Sequence, residues 1–91
     1  MNARFTIALA HIAAIRSYIE ARSPIAAAHI VARILADADR LADFPHIGHA
    51  GVVPDTYEWI VQGLPYIILH EIDDQNEEII VLGIFHGAQQ R

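Results

Sequence analysis

The stretch FPHIGHAGVVPDTYEW, Phe44–Trp59, separates two parts of the chain whose hydrophobic patterns differ. Before it, apolar residues recur every three or four positions, which is typical of amphipathic helices. After it come short runs rich in Ile, Val, Tyr and Phe, which are typical of strands. The stretch itself holds two glycines and two prolines, and both residue types favour turns. The sequence therefore predicts an α+β fold in which helices come first, a sheet follows, and this segment crosses between them.

Two helices are predicted before the crossing segment. The first runs from Phe5 to about Arg22, and it ends because a proline at position 24 disfavours helical geometry in the residue before it. Ser23 is then a suitable N-cap for a second helix from Pro24 to about Asp43. The tight connection makes the two helices an antiparallel hairpin. Spacings of three and four predict that charged side chains pair along the exposed side of the second helix, at Arg33, Asp37 and Arg40.

The second part of the chain predicts an antiparallel β-meander of three strands. They span Thr56–Val61, Tyr66–Ile72 and Glu78–His86, with the polar turn DDQNE between the last two. A short N-terminal strand, Asn2–Phe5, precedes the first helix. The last two strands are almost continuously apolar, which predicts helices on one face of the sheet and leaves the other face for a partner.

Composition limits the classes of function. A chain of 91 residues predicts one domain, residues 1–91. Net charge is −5, with 11 acidic residues against six arginines and no lysine, which argues against direct binding of nucleic acid. Hydrophobic residues make up 54% of the chain, either because Ala and Ile fill the interior or because apolar surface serves a partner. The chain has no cysteine, no membrane-length apolar run and no secretory signal pattern, so we expect a cytoplasmic protein that does not bind a membrane.

The sequence offers little chemistry of its own. His46 and His49 stand three positions apart, but no third ligand can be located, so we predict neither a metal nor any other cofactor. No catalytic triad or phosphate-binding glycine loop can be argued from spacing, and no catalytic residue is assigned. Asp55, Glu58 and Glu71 could include a general base, but the favoured interpretation is that they are solvated strand residues.

Four segments of the chain occur in an order and at distances that resemble one family. The sequence is similar to the RelE/ParE superfamily of bacterial type II toxins, and specifically to its ParE-like, plasmid-stabilisation branch, over nearly its whole length. The segments are IRSYIEARSPIAA (Ile15–Ala27), LADFPHIGHAG (Leu41–Gly51), GLPYII (Gly63–Ile68) and GIFHGAQQR (Gly83–Arg91). The fold that this resemblance implies, an N-terminal strand, a helical hairpin and an antiparallel sheet, agrees with the pattern of the residues.

The resemblance implies a toxin that a cognate, ParD-like antitoxin neutralises in a hetero-oligomer. ParE-like members inhibit DNA gyrase, whereas RelE-like members cut messenger RNA on the ribosome. RNA cleavage needs cationic side chains around the scissile phosphate, and the strands from Thr56 to His86 contain none. Gyrase inhibition without enzymatic activity is therefore favoured. Two alternatives stay open, a ribosome-dependent RNase with His49 or His86 as acid or base and Tyr57 stacking on a base, and a member that binds its antitoxin but is not toxic.

The crossing segment departs from the pattern of many ParE-like relatives. Where these carry a Gly-Arg pair and a Thr-Arg-Glu triplet, this chain has Gly48-His49 and Thr56-Tyr57-Glu58. Phe44 is expected to pin the end of the second helix against the sheet. The resemblance gives as candidate target-binding residues His49, Tyr57, Glu58, His86, Gln89, Gln90 and Arg91.

A second set of residues is predicted to bind the antitoxin. The arginines of the hairpin would pair with antitoxin carboxylates, and apolar residues of the first helix would add hydrophobic contact. The candidates are Ile12, Arg16, Ile19, Arg22, Arg33 and Arg40.

Overall fold

The computed structural model describes residues 1–87, which form two helices and five strands. In chain order the elements are β1 (Asn2–Phe5), α1 (Ala8–Glu20), α2 (Pro24–Asp43), β2 (His49–Ala50), β3 (Tyr57–Ile60), β4 (Tyr66–Asp73) and β5 (Glu78–His86). The strands make one sheet in the order β1-β5-β4-β3-β2. β1 pairs in parallel with β5, and every other pair is antiparallel. The predicted α+β fold, with its helical hairpin and three-stranded meander, is confirmed, and β2 is an additional strand.

The N-terminus differs from the helical prediction for Phe5. Phe5 lies in β1, opposite Val81 of β5, and α1 begins only at Ala8. Both the backbone N–H and the hydroxyl of Thr6 donate to the carbonyl oxygen of Val81, at 3.2 and 3.0 Å. These bonds keep the chain extended beside β5 for two more residues than helical periodicity suggests.

The junction of the two helices follows the sequence prediction. The Ser23 hydroxyl accepts a hydrogen bond from the backbone N–H of Ala26 at 3.1 Å, and Pro24 occupies the first position of α2. This bond satisfies one of the backbone donors that the start of a helix leaves open.

At the other end of α2 the expectation that Phe44 pins the helix against the sheet is wrong, since its side chain is 59% exposed. Leu41, which is fully buried, packs into the core there.

The hydrophobic core lies between the helical hairpin and one face of the sheet, which we call the inner face. Cross-strand partners on this face include Ile68 with Ile84 and Ile72 with Ile79. Because side chains alternate along a strand, their neighbours point away from the helices, onto what we call the outer face. The outer face carries the ladder pairs Glu58–Leu69, Ile60–Ile67, Ile67–Phe85, Glu71–Ile80 and Asp73–Glu78.

The charged side chains of α2 make different contacts from those that the helical spacing predicts. Arg33 donates to the carbonyl oxygen of Gln62 at 2.7 Å, and Asp37 accepts from the indole N–H of Trp59 at 2.9 Å. The guanidinium of Arg40 lies 6.0 Å from the centroid of the Trp59 ring. These groups therefore tie α2 to β3 and to the residues just after it, instead of pairing with one another.

No helix within residues 1–87 combines the length and the apolar character that a membrane span requires.

Candidate functional site at the crossing loop and the ends of the sheet

The crossing loop approaches the sheet closely because position 48 is a glycine. A Cβ atom added to Gly48 would lie 2.9 Å from the backbone oxygen of Glu58 and 3.1 Å from Cε1 of His70. The first of these neighbours is backbone in a paired strand, which cannot easily give way. The absence of a side chain lets the loop continue into β2, where His49 lies opposite Glu58 and Ala50 opposite Tyr57.

Two of the predicted target-binding residues meet at this edge of the sheet. Nε2 of His49 lies 3.9 Å from Oε1 of Glu58, and the two side chains differ sharply in exposure, 61% against 7%. The interpretation of Glu58 as a solvated residue is therefore wrong, because the short strand β2 and the neighbouring strand β4 enclose it. The arrangement presents an accessible imidazole that is backed by a nearly buried carboxylate.

Tyr57 points the other way. It lies opposite His70 in the ladder, with the two ring centroids 6.0 Å apart, and Trp59 opposite Ile68 follows on the same, inner side. Strand alternation thus separates Tyr57 from Glu58, although they are neighbours in the chain. The structure brings His49 and Glu58 together and places half-buried Tyr57 against the interior.

His70 is a buried residue of this region that the sequence did not single out. Its side chain is fully buried, its Nδ1 lies 3.3 Å from the carbonyl oxygen of Ile68, and its Nε2 has no hydrogen-bond partner among the described residues. Only a protonated Nδ1 can donate to a carbonyl, so the neutral ring carries its lone pair on Nε2. Burial lowers the pKa of His70, and the Ile68 carbonyl opposes this shift in part. A histidine in the apolar run YIILHEI was the available signal.

His86 lies apart from this edge, in a groove of about 600 Å³ between α1 and the ends of β4 and β5. Its ring meets Tyr66 edge to face, with centroids 5.7 Å apart. His11 of α1 accepts a hydrogen bond from the backbone N–H of Ile84 at 3.2 Å, and its ring centroid lies 5.4 Å from that of Phe85. His11 therefore replaces a strand neighbour where β1 has already ended. The groove is also lined by Ala14, Ile15 and Tyr18.

The predicted antitoxin-binding residues fall into three groups. Ile12 is a buried core residue, with 7% of its surface exposed, and Ile19 is half-buried, so both present little area for the predicted contact. Arg33 and Arg40 are held by β3 and its following turn, as described above. Arg16 is exposed on α1, and the guanidinium of Arg22 lies 5.4 Å from the centroid of the Tyr18 ring beside the groove. The candidates Gln89, Gln90 and Arg91 lie outside the described residues.

The strands of the sheet carry little positive charge within the described residues. Within residues 1–87, Arg4 is the one arginine in a strand, and its Nε lies 3.3 Å from Oε2 of Glu78. The same part of the chain contains no group of three His, Asp or Glu side chains that could hold a metal ion. Stabilising the charge that develops on a phosphate during RNA cleavage needs several converging cations, which these strands do not supply.

Comparison with solved structures identifies the same architecture elsewhere. The fold is similar to that of a chain in the chromosomal ParDE toxin–antitoxin system from P. aeruginosa, with a TM-score of 0.81, 22% identity and coverage of 94% of this chain and 95% of the other. It also resembles the isolated E. coli RelE toxin, with a TM-score of 0.61 and 12% identity over 99% of this chain and 87% of the other. At these identities the likeness establishes the fold alone.

Sequence comparison establishes the family. A Sinorhizobium fredii (strain NGR234) protein named "Putative toxin Y4kP" is 38% identical over 88 residues, which cover 96% of this chain and 88% of the relative. The sequence model for the ParE toxin of the type II toxin–antitoxin system parDE matches residues 6–91. This chain therefore belongs to the ParE toxin family.

Proposed function

We propose that this chain is a type II toxin that acts in the cytoplasm by inhibiting DNA gyrase and that a ParD-like antitoxin neutralises it in a hetero-oligomer. Family membership supports the toxin and antitoxin parts of this proposal. Gyrase as the target is supported by the resemblance to ParE-like toxins and by the chemistry of the sheet.

The observation that carries the choice of target is the lack of positive charge on the sheet. The outer face presents the carboxylates of Glu71, Asp73 and Glu78, and its arginine, Arg4, lies close to Glu78. A messenger RNA would meet repulsion there, because its phosphates and these carboxylates carry the same charge. A protein target can avoid this repulsion by presenting neutral or basic side chains there.

The test combines a cell experiment with a purified reaction. Induction of the chain alone in a bacterial host is expected to cause growth arrest, filamentation and a DNA-damage response, and co-expression of the antitoxin is expected to prevent them. The purified protein is expected to inhibit supercoiling of relaxed plasmid by gyrase. Ribosome-dependent cleavage of messenger RNA that His86→Ala abolishes, without any effect on supercoiling, would contradict the proposal.

A second function is favoured by the departures in the crossing loop. The positions at which relatives carry arginine hold His49 and Tyr57, and the Tyr57 ring packs toward the interior beside His70. If those arginines form the toxic surface, this chain binds its antitoxin and poisons nothing. Unaffected growth in the presence of soluble, folded protein would support this function over gyrase inhibition.

A further inference from the structure

We propose that the outer face of the sheet binds a segment of the antitoxin that is apolar at one end and rich in Lys or Arg at the other. This inference rests on the proposed function, since it presumes an antitoxin. It specifies the chemistry of the contact, and it differs from the expectation that hairpin arginines recruit antitoxin carboxylates.

One half of the outer face is apolar. Ile60, Ile67 and Phe85 lie side by side on β3, β4 and β5, and Leu69 follows Ile67 on the same face. Ile60 is 56% exposed, and Leu69 and Phe85 are half-buried, whereas Ile67 is enclosed between its neighbours. The Phe85 ring at the end of this row also contacts His11 of α1, and the row as a whole can bury the apolar side chains of a partner.

The other half of the outer face is acidic. Glu71 and Asp73 follow Leu69 along β4, and Glu78 lies opposite Asp73 on β5. Glu71 and Asp73 also line a shallow depression of about 390 Å³ together with Asp55 and Asp74. Hydrogen bonds from the side chain and backbone of Asn76 lower the pKa of Asp73, so this carboxylate remains charged at neutral pH. Against these groups the described part of this face offers a single arginine, Arg4.

Charge complementarity selects the partner. The arginines of the hairpin are exposed, although Arg33 donates to the carbonyl oxygen of Gln62 and Arg22 stacks on Tyr18. The outer face, in contrast, presents carboxylates that Lys or Arg can approach, and complementary charges favour both encounter and register. From Ile67 to Asp73 the face extends about 20 Å at 3.3 Å per residue. A partner segment of about six extended residues, or about 13 helical ones, matches this length.

The electrostatic part is tested with two variants that change charge equally. Glu71→Lys alters the acidic half, and Glu20→Lys makes the same change on exposed α1, at a helix C-terminus where lysine is favourable. The ligand is the antitoxin that prevents growth arrest on co-expression, and its Kd is measured at about 50 and about 500 mM salt. We expect Glu71→Lys to weaken binding about five- to tenfold at low salt, with the difference shrinking at high salt. Glu20→Lys should stay within about twofold.

The apolar part is tested with a pair matched in exposure. Ile60 and Leu9 are 56% and 57% exposed, the first on the outer face and the second on α1. Ile60→Ser should weaken antitoxin binding about tenfold, because it removes apolar area from the contact, and Leu9→Ser should leave it unchanged. Circular dichroism and urea unfolding establish whether each variant folds. If Glu71→Lys does not fold, Glu71→Gln replaces it as a milder change.

The outcomes separate this inference from the proposed function. If the wild-type chain binds no antitoxin, the proposed function itself fails. If the antitoxin binds and the outer-face variants match their controls, the function stands and the outer face is not the docking surface. If Glu71→Lys relieves growth arrest while antitoxin affinity is unchanged, the assignment to the antitoxin is overturned, and a toxicity target binds there instead.

Discussion

Both faces of the sheet carry isoleucine side chains, but these side chains are buried to different extents. On the inner face Ile68 and Ile79 are fully buried beneath the helices, whereas on the outer face Ile60 is 56% exposed and carboxylates interrupt the apolar row. A chain that is 54% hydrophobic therefore does not spend all of its apolar surface on its own core. If the outer face is the docking surface proposed above, stability and recognition can be altered separately in this protein, one face at a time.

The largest expected effect is the loss of a core side chain from the inner face. Ile68→Ala should lower the free energy of unfolding by about 2–5 kcal/mol, because it removes a fully buried side chain and leaves a cavity. Ile60→Ala on the outer face should change it by about 0.5 kcal/mol or less. Urea denaturation of both variants measures the difference. Equal losses would mean that the outer face is as much a part of the core as the inner one.

The next effect concerns the glycine that lets the crossing loop reach the sheet. Gly48→Ala should cost about 1–3 kcal/mol, since the new Cβ would lie 2.9 Å from the Glu58 backbone oxygen. Gly87→Ala is the matched control, because there the nearest atom, the oxygen of Pro65, lies 3.5 Å away, which is ordinary contact. Thermal unfolding compares the two. A Gly48→Ala protein as stable as the control would show that the loop can move away from the sheet without loss.

Local rules predicted the helices and long strands well, and tertiary contacts decided the rest. Ser23 before Pro24 identified the helix junction because a cap acts within four residues. The strand β2 was missed because two residues carry no periodic signal, and its pairing depends on a glycine that permits close approach. Helical spacing could not reveal that Arg33 reaches Gln62, which is 29 positions away.

The candidate site was predicted less completely than the fold. The sequence selected His49 and Glu58, which do meet, but it grouped them with Tyr57, which strand alternation turns to the opposite face. The resemblance to relatives compares positions along the chain and does not specify which face a side chain occupies. His70 was not predicted as part of the site, because its burial depends on what packs over the strand. In this case the loop at Gly48 packs there.

His70, the buried histidine on the inner face, is expected to have a smaller effect on stability, and only at acid pH. Burial lowers the pKa of His70 below 6.5, so the unfolded chain takes up a proton there more readily than the folded one. Stability is then unaffected above about pH 6.5 and decreases as pH falls from that value through the folded-state pKa. His70→Leu should remove this part of the pH dependence. Unfolding free energies from pH 7.5 to 5 measure it, and identical pH slopes in the two proteins would contradict the role of His70.

The smallest effect on stability is expected on the outer face, at Arg4. Its side chain is 54% exposed and lies 3.3 Å from Glu78, so Arg4→Gln should change the free energy of unfolding by about 0–1 kcal/mol. The same change makes the outer face more negative beside Glu78 and Asp73, because it removes a positive charge from this face. A basic antitoxin segment should therefore bind Arg4→Gln about two- to threefold more tightly at low salt, the opposite direction to Glu71→Lys. Titration of each variant with the antitoxin measures this change in affinity. Misfolding would weaken binding, so it cannot explain a gain in affinity. Weaker binding by a fully folded Arg4→Gln variant would count against a basic partner on this face.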